Sequence, residues 1–435
     1  MTMSLRDYLQ RIQKAEEFVQ INKPVSKHLQ AAGILKALEP KPVLFTNVKE
    51  SQFPVMGNLF CSKQSFADYL GIAVQEIIPT LTHAIDNHTP PSVVKDAPCQ
   101  AVIIEHPDLD QLPIPFHCEG DGGNYICAGV MISGHPKYGQ NMDFHRLMQF
   151  SKTEMAVRVV KRRNFDTFLQ DLGAVDVAIC VGLPPNILAA AATSVEIGLN
   201  ELEIANALAP FDVVKAQTCD LLIPAKSEFV IEGTVYRDRR HAEGPFVDLT
   251  ETRDVVRNEP VLEVKRITHR QDPIWHALLP GGLEHKLLMG MPREPTIFRE
   301  VSRVVNCLDV HINPGGCSWL HAIVQIHKEH QDDGRKAIQA AHRGHTSCKH
   351  IFVVDEDIDI YDPLSVEWAM ATRFQADRDL VMLGRERGSS LDPSAEPGTY
   401  LTSKVGFDLT APLETKGKHF KKVDFPEVDL SEVMG

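Results

Sequence analysis

Two carboxylates five positions apart, Glu243 and Asp248, flank Gly244-Pro245-Phe246. Glycine and proline bend the chain, so both acids can face one cavity. A carboxyl pair whose surroundings separate its two pKa values can perform acid–base work, although an acidic solvent loop has the same spacing. Arg158, Lys161, Arg162 and Arg163 form a run of cations at the end of an apolar stretch. Guanidinium groups pair bidentately with carboxylate and phosphate, so an anion site and a solvated turn are both open there. His285 and Arg293 lie in Gly281-Gly282-Leu283-Glu284-His285-Lys286-Leu287-Leu288-Met289-Gly290-Met291-Pro292-Arg293-Glu294, which predicts a short helix ending at Gly290. They can cap its last carbonyls or bind a substrate anion. His327, His330, His342, His345, Cys348 and His350 offer nitrogen and sulfur donors for zinc. They stand among Lys328, Arg343 and Lys349, which fits solvated helix and loop histidines better. Gly120-Asp121-Gly122-Gly123 reads as a loop rather than a phosphate cradle. No GxGxxG after a strand, Walker A loop, HExxH or GxSxG occurs.

These groups must be positioned by alternating apolar strand-like runs and amphipathic helical stretches, a mixed α/β class. Helices are expected at Leu5–Ala15 and Ser65–Tyr69, and a strand at Val43–Thr46. The middle is strand-rich: Gln100–Glu105, Ala128–Ser133, Val157–Lys161, Val177–Val181 and Phe229–Glu232. Pro273–Gly290 reads as one helical stretch that could bridge domains. Ile323–His327 and His350–Asp355, with a helix around Gly334–Ala341 between them, have the βαβ pattern of an open sheet.

The 435 residues suffice for two or three domains with buried cores. A formal charge of −13 argues against nucleic-acid and anionic-membrane partners. The N-terminal stretch has no signal-peptide core, and the longest uncharged run, Val177–Val195, is broken by Gly182, Pro184 and Pro185. Nine cysteines without CxxC spacing give no disulfide framework, so a cytoplasmic location is expected.

Five segments in order resemble the UbiD-type decarboxylases, which use prenylated FMN. They are Asn141-Met142-Asp143-Phe144-His145-Arg146, Ile223 to Gly233, and Glu243-Gly244-Pro245-Phe246-Val247-Asp248. The others are Val354 to Asp359 with Trp368 to Arg373, and Lys404 to Pro412. The resemblance implies an N-terminal α/β region (1–97), a central split β-barrel flavin-binding domain (98–270), a linker helix and return segment (271–314), and a C-terminal α/β dimerisation domain (315–435). It assigns Arg146 to orienting the substrate carboxylate and to the cofactor, Glu243 to pairing with that arginine, and Asp248 to shuttling a proton to the carbon that loses CO2. Asn141 and Glu201 match two ligands of a Mn2+ or Mg2+ ion, with K+ nearby, at the cofactor phosphate. The family's third ligand, a histidine, has no counterpart between His145 and His241, and Arg163 stands in its aligned place; either a weakened metal site is retained with fewer protein ligands, the expected case, or Arg163 contacts the cofactor phosphate directly. The chemistry is coherent: decarboxylation leaves a carbanion, and no side chain is an electron sink.

Within that family His285 and Arg293, eight positions apart, resemble the pair assigned to the second carboxylate in furan-2,5-dicarboxylate decarboxylases. Furan-2,5-dicarboxylate, decarboxylated reversibly to 2-furoate, is therefore the expected substrate. A phosphorylated aliphatic enoate, with the same two residues facing phosphate, is the alternative. A flavin prenyltransferase is expected to supply the cofactor, and a homodimer or larger homo-oligomer is expected. Two readings from other classes remain: a zinc-dependent hydrolase built on the His327–His350 cluster, and a non-catalytic assembly protein, which would leave Arg146, Glu243 and Asp248 unexplained.

Overall fold

The computed structural model of the chain describes residues 4–14, 18–414, 420, 422–423, 425–426 and 428–429. The first helix, Leu5–Ile12, starts at Ser4, whose hydroxyl accepts the Asp7 N–H while the Asp7 carboxylate accepts the Ser4 N–H. This reciprocal cap satisfies two otherwise unpaired donors. The expected end of that helix, Ala15, lies outside the described residues. A four-stranded sheet follows, in the order Val19–Ile21, Val43–Phe45, Val55–Gly57 and Trp275–His276.

Its last strand corrects the expected helix over Pro273–Gly290. The Trp275 and Ala277 N–H groups donate to the Pro54 and Met56 carbonyls at 2.9 and 2.8 Å, completing the N-terminal sheet. Gly281 then takes φ 68°, a conformation that suits glycine, and the helix begins only at Leu283 and reaches Gly290. The chain after residue 270 thus returns to the N-terminal sheet before any linker helix.

The central unit is a nine-stranded sheet. Its spine is two long antiparallel strands, Phe229–Glu243 and Arg257–His269. The first continues eleven residues beyond the expected Glu232, because register shifts at Glu232/Gly233 and Tyr236/Arg240 let it bend while remaining paired. These irregularities curl the sheet into a half-barrel around a core that includes Val177, Ile179, Ile231 and Leu262. The strand expected at Val157–Lys161 ends at Val157 instead; the chain then turns through Arg162, at φ 67°, into the helix Asn164–Leu172.

The C-terminal unit is a five-stranded sheet in the order Asn306–Ile312, His321–His327, His350–Asp355, Leu401–Asp408, Leu380–Arg387. His321–His327 and His350–Asp355 pair in parallel across the helix Asp333–Gly344, the βαβ unit read from the sequence. No helix among the described residues is long and apolar enough to cross a membrane.

Candidate functional site

A cleft of about 1190 Å3 opens between the central sheet and the C-terminal unit. Asn141, Arg146, Arg163, Glu201, Asp248, His285 and Arg293, residues separated by up to about a third of the chain, all line it. Glu243 does not reach the cleft. It is fully buried behind Arg146.

Arg146 follows the strand Gly139–Phe144 and is clamped by three carboxylates. Its Nε and Nη2 each donate to Glu243 at 2.9 Å, its Nη1 donates to Asp248 at 2.5 Å, and Nη2 also donates to Asp254 at 2.8 Å. Burial opposes the guanidinium charge, but the Glu243 fork and the charges of Asp248 and Asp254 outweigh it and raise the Arg146 pKa. Removing one partner of so buried a pair typically costs about 3–5 kcal/mol, because the other charge is left uncompensated. The Tyr125 hydroxyl donates to Glu243 Oε1 at 3.1 Å, and the Phe246 ring lies 4.6 Å from the guanidinium carbon.

The chain positions these acids with one loop. Glu243 ends one spine strand, directly opposite Arg257 on the other. Between them, Phe246–Val247 pairs with Arg253–Asp254, and a turn closed by the Asp248 N–H and the Thr252 carbonyl puts Asp248 at the tip. The Gly120–Gly123 segment is a buttress for this loop. The Gly122 N–H donates to Pro245, and a Cβ at Gly122 would lie 2.2 Å from the Gly244 carbonyl oxygen.

Asn141 and Glu201 come together as expected, but the residue beside them is Asn164, not Arg163. Asn164 Nδ2 donates to Asn141 Oδ1 at 2.9 Å, whereas Arg163 turns away to donate to the Ser194 hydroxyl at 3.1 Å. The Arg162 turn causes this offset. Glu201 opens a helix capped by Asn200, accepts the Met142 N–H at 2.8 Å, and has no cation paired to it among the described residues. Burial, reinforced by the Asp143 charge, raises its pKa to about 8. Asn141 Nδ2 is buried without a partner. An uncompensated buried carboxylate beside two amides is a donor set that a hard divalent cation would complete, so these residues fit the expected metal.

At the far side of the cleft, Gly281 N–H donates to His285 Nδ1 at 3.0 Å, which leaves Nε2 of the neutral ring as the donor facing outward. Burial lowers the His285 pKa, and Asp248 partly opposes that. Arg293 sits in a turn, Met291–Arg293, through which the chain continues directly into the helix Glu294–Ser302, so it caps no helix end. Its Nε is buried without a hydrogen-bond partner, it pairs with no carboxylate among the described residues, and its guanidinium lies 5.3 Å from the Trp319 ring centre. Burial and then the charge of Arg163 push its pKa down. Two guanidinium groups near each other without a carboxylate are a candidate anion site.

The cation run divides. Arg158 is held by Glu259 at 3.0 Å, while Lys161 and Arg163 line the cleft. The zinc reading is corrected. His327 pairs with Glu356, His330 with Asp333, His342 with Glu386 and His350 with His321, while His345 bonds the Trp319 carbonyl. No three His, Cys, Asp or Glu side chains converge on a metal position among the described residues. Sequence reasoning missed Asn164, Asp254 and Arg257; the Asp-x-x-Arg spacing of the last two was the available signal.

Family models match nearly the whole chain: the 3-octaprenyl-4-hydroxybenzoate carboxy-lyase N-terminal domain over residues 9–85, its Rift-related domain over 92–283 and its C-terminal domain over 286–409. An anhydromevalonate phosphate decarboxylase from Methanothermobacter thermautotrophicus is 40% identical over 97% of this chain and 100% of its own. The UbiD-class enzyme HmfF from Pelotomaculum thermopropionicum, solved with FMN, superposes with a TM-score of 0.95 at 33% identity, covering 99% of this chain and 100% of that one. An evolved dimeric form of HmfF, solved with prFMN, gives a TM-score of 0.91 at 31% identity, covering 99% and 100%.

Proposed function

The chain belongs to the UbiD family of carboxy-lyases, and we propose that it decarboxylates a phosphorylated aliphatic enoate, of which anhydromevalonate phosphate is the model, with prenylated FMN as cofactor. The observation that carries the substrate is the pair of Arg293, half-buried with its Nε unpartnered, and Arg163, exposed at the cleft wall, neither of them paired with a carboxylate among the described residues. A phosphate dianion answers two guanidinium groups better than a single carboxylate does. The 40% identical decarboxylase supports this alternative over furan-2,5-dicarboxylate, the substrate first expected from the His285 and Arg293 spacing.

The HmfF complexes with FMN and prFMN support the cofactor, and Asn141, Asn164 and Glu201 are the residues that would hold a divalent cation at its phosphate. When bound, the prenylated flavin supplies the electron sink that loss of CO2 requires. The protein does the rest. Arg146 orients the carboxylate that leaves. Asp248, within reach of the same guanidinium, delivers a proton to the carbon left behind. Phe246 and Leu288 keep water from that carbon. A flavin prenyltransferase would supply the cofactor.

The test is turnover by the prenylated-FMN-loaded enzyme. Anhydromevalonate phosphate should release CO2 with a kcat/KM well above that for furan-2,5-dicarboxylate. Equal or greater efficiency on the furan diacid would return the second anion to a carboxylate.

A further inference from the structure

We propose that Asp254, anchored by Arg257, is a positioning residue that decides which nitrogen of Arg146 exchanges its partner for the substrate carboxylate. The inference rests on the reading that Arg146 receives that carboxylate.

The five guanidinium hydrogens of Arg146 can be assigned one by one. Nε gives its single hydrogen to Glu243, and Nη2 gives one to Glu243 and one to Asp254. Only Nη1 remains, with one hydrogen on Asp248 and one to spare. Without Asp254, Nη2 would also have a free hydrogen, and a carboxylate could dock in two orientations.

The three acids are not equally held. Asp254 Oδ2 takes Arg257 Nη1 at 2.5 Å as well as Arg146, and its Oδ1 accepts the Val255 N–H at 2.9 Å. Glu243 has the two-pronged fork and the Tyr125 hydroxyl. Asp248 has one guanidinium contact and one backbone N–H, from Leu249 at 2.7 Å. Three carboxylates already face two arginines, so a fourth negative charge displaces the acid held by the fewest hydrogen bonds. That acid is Asp248. Its displacement frees the Asp248 carboxylate from Arg146 as the substrate docks. Tyr400, beside Arg257, lines the same cleft.

Steady-state kinetics of the flavin-loaded enzyme test this, on anhydromevalonate phosphate and on the same enoate without phosphate. Asp254→Asn keeps the shape and removes the charge. KM should fall about fivefold, the effect of one screened charge a few ångströms away, and kcat should fall about tenfold or more because a carboxylate docked on Nη2 leaves Asp248 paired with Nη1. Arg257→Gln leaves Asp254 bearing on Arg146 alone, and KM should rise by a similar factor, with Arg257→Lys restoring it. Opposed KM shifts are not produced by structural damage, which lowers the active fraction and leaves KM unchanged. KM shifts in the same direction, or none, overturn the proposal. If Asp254→Asn does not fold, Asp254→Glu carries the test: pressing a longer acid against Nη2 should raise KM, and an unchanged KM overturns the proposal. A wild-type enzyme indifferent to the phosphate counts against the substrate assignment alone, since the KM shifts are then read on the phosphate-free enoate.

Discussion

Asp248 has to be a carboxylate while it pairs with Arg146 and an acid when carbon needs a proton. The geometry reconciles the two states, because the substrate carboxylate competes for the same guanidinium nitrogen. Asp248→Asn, which no longer competes as an anion for Arg146, should therefore bind substrate with a KM a few-fold below wild type and lose roughly 10²–10⁴ in kcat, read by CO2 release under saturating substrate. On the proposed reading, Arg293 grips the phosphate at the other end of the bound molecule. Truncating it to Ala should raise KM for the phosphorylated enoate by about 10–100-fold, the worth of a charge-assisted hydrogen bond to an anion, with kcat changed far less. Arg146, Glu243 and Asp248 were legible because their motifs are short and continuous. Asn164 was not, because its contact with Asn141 exists only once the Arg162 turn has carried the chain into a helix that begins at Asn164. Asp254 and Arg257 read as ordinary surface charges until the strand register puts Arg257 opposite Glu243.

The elements matter through one close approach. Asp248 and Asp254 ride on a loop fixed by its contact with Gly122, where there is no room for a Cβ against Gly244. Gly122→Ala should push the loop off Arg146, lowering kcat severely while costing about 1–3 kcal/mol of stability, measured by activity and by urea unfolding of the same sample. An active enzyme with wild-type stability would show that the loop has slack. Periodicity located several core strands and the βαβ unit, since those patterns are local, but not the spine strand Arg257–His269. It merged Trp275–His276 with the helix that follows, because a two-residue strand exists only through the partner carbonyls of Pro54 and Met56. The curl of the central sheet was implied only by resemblance, because bulges at Glu232/Gly233 and Tyr236/Arg240 leave no periodic trace.

At the scale of the whole molecule, an acidic chain turns its uncompensated cations inward. The formal charge of −13 coexists with Arg163 and Arg293 facing one cleft. The interior also holds histidines in neutral form: burial pushes the pKa of His117 and of His345 down to about 3. The unfolded chain, with ordinary histidines near 6.5, takes up protons first as pH falls. Stability contributed by these residues is therefore complete above about pH 6.5 and declines toward pH 3, by up to about 1.4 kcal/mol per pH unit for each. Urea midpoints should drop between pH 7 and pH 5, and His345→Gln, which can still donate to the Trp319 carbonyl, should drop less. Equal drops would assign the acid sensitivity elsewhere.

The central claim is that one end of this cleft removes CO2 while the other grips a phosphate. Its most direct test is the ratio of kcat/KM for the phosphorylated enoate to that for the same enoate without phosphate, in the flavin-loaded wild type and in Arg293→Ala. The wild-type ratio should be about 100 or more and should collapse toward unity in the variant, in line with two charge-assisted contacts. A wild-type ratio near unity, or a high ratio that survives loss of Arg293, would contradict it.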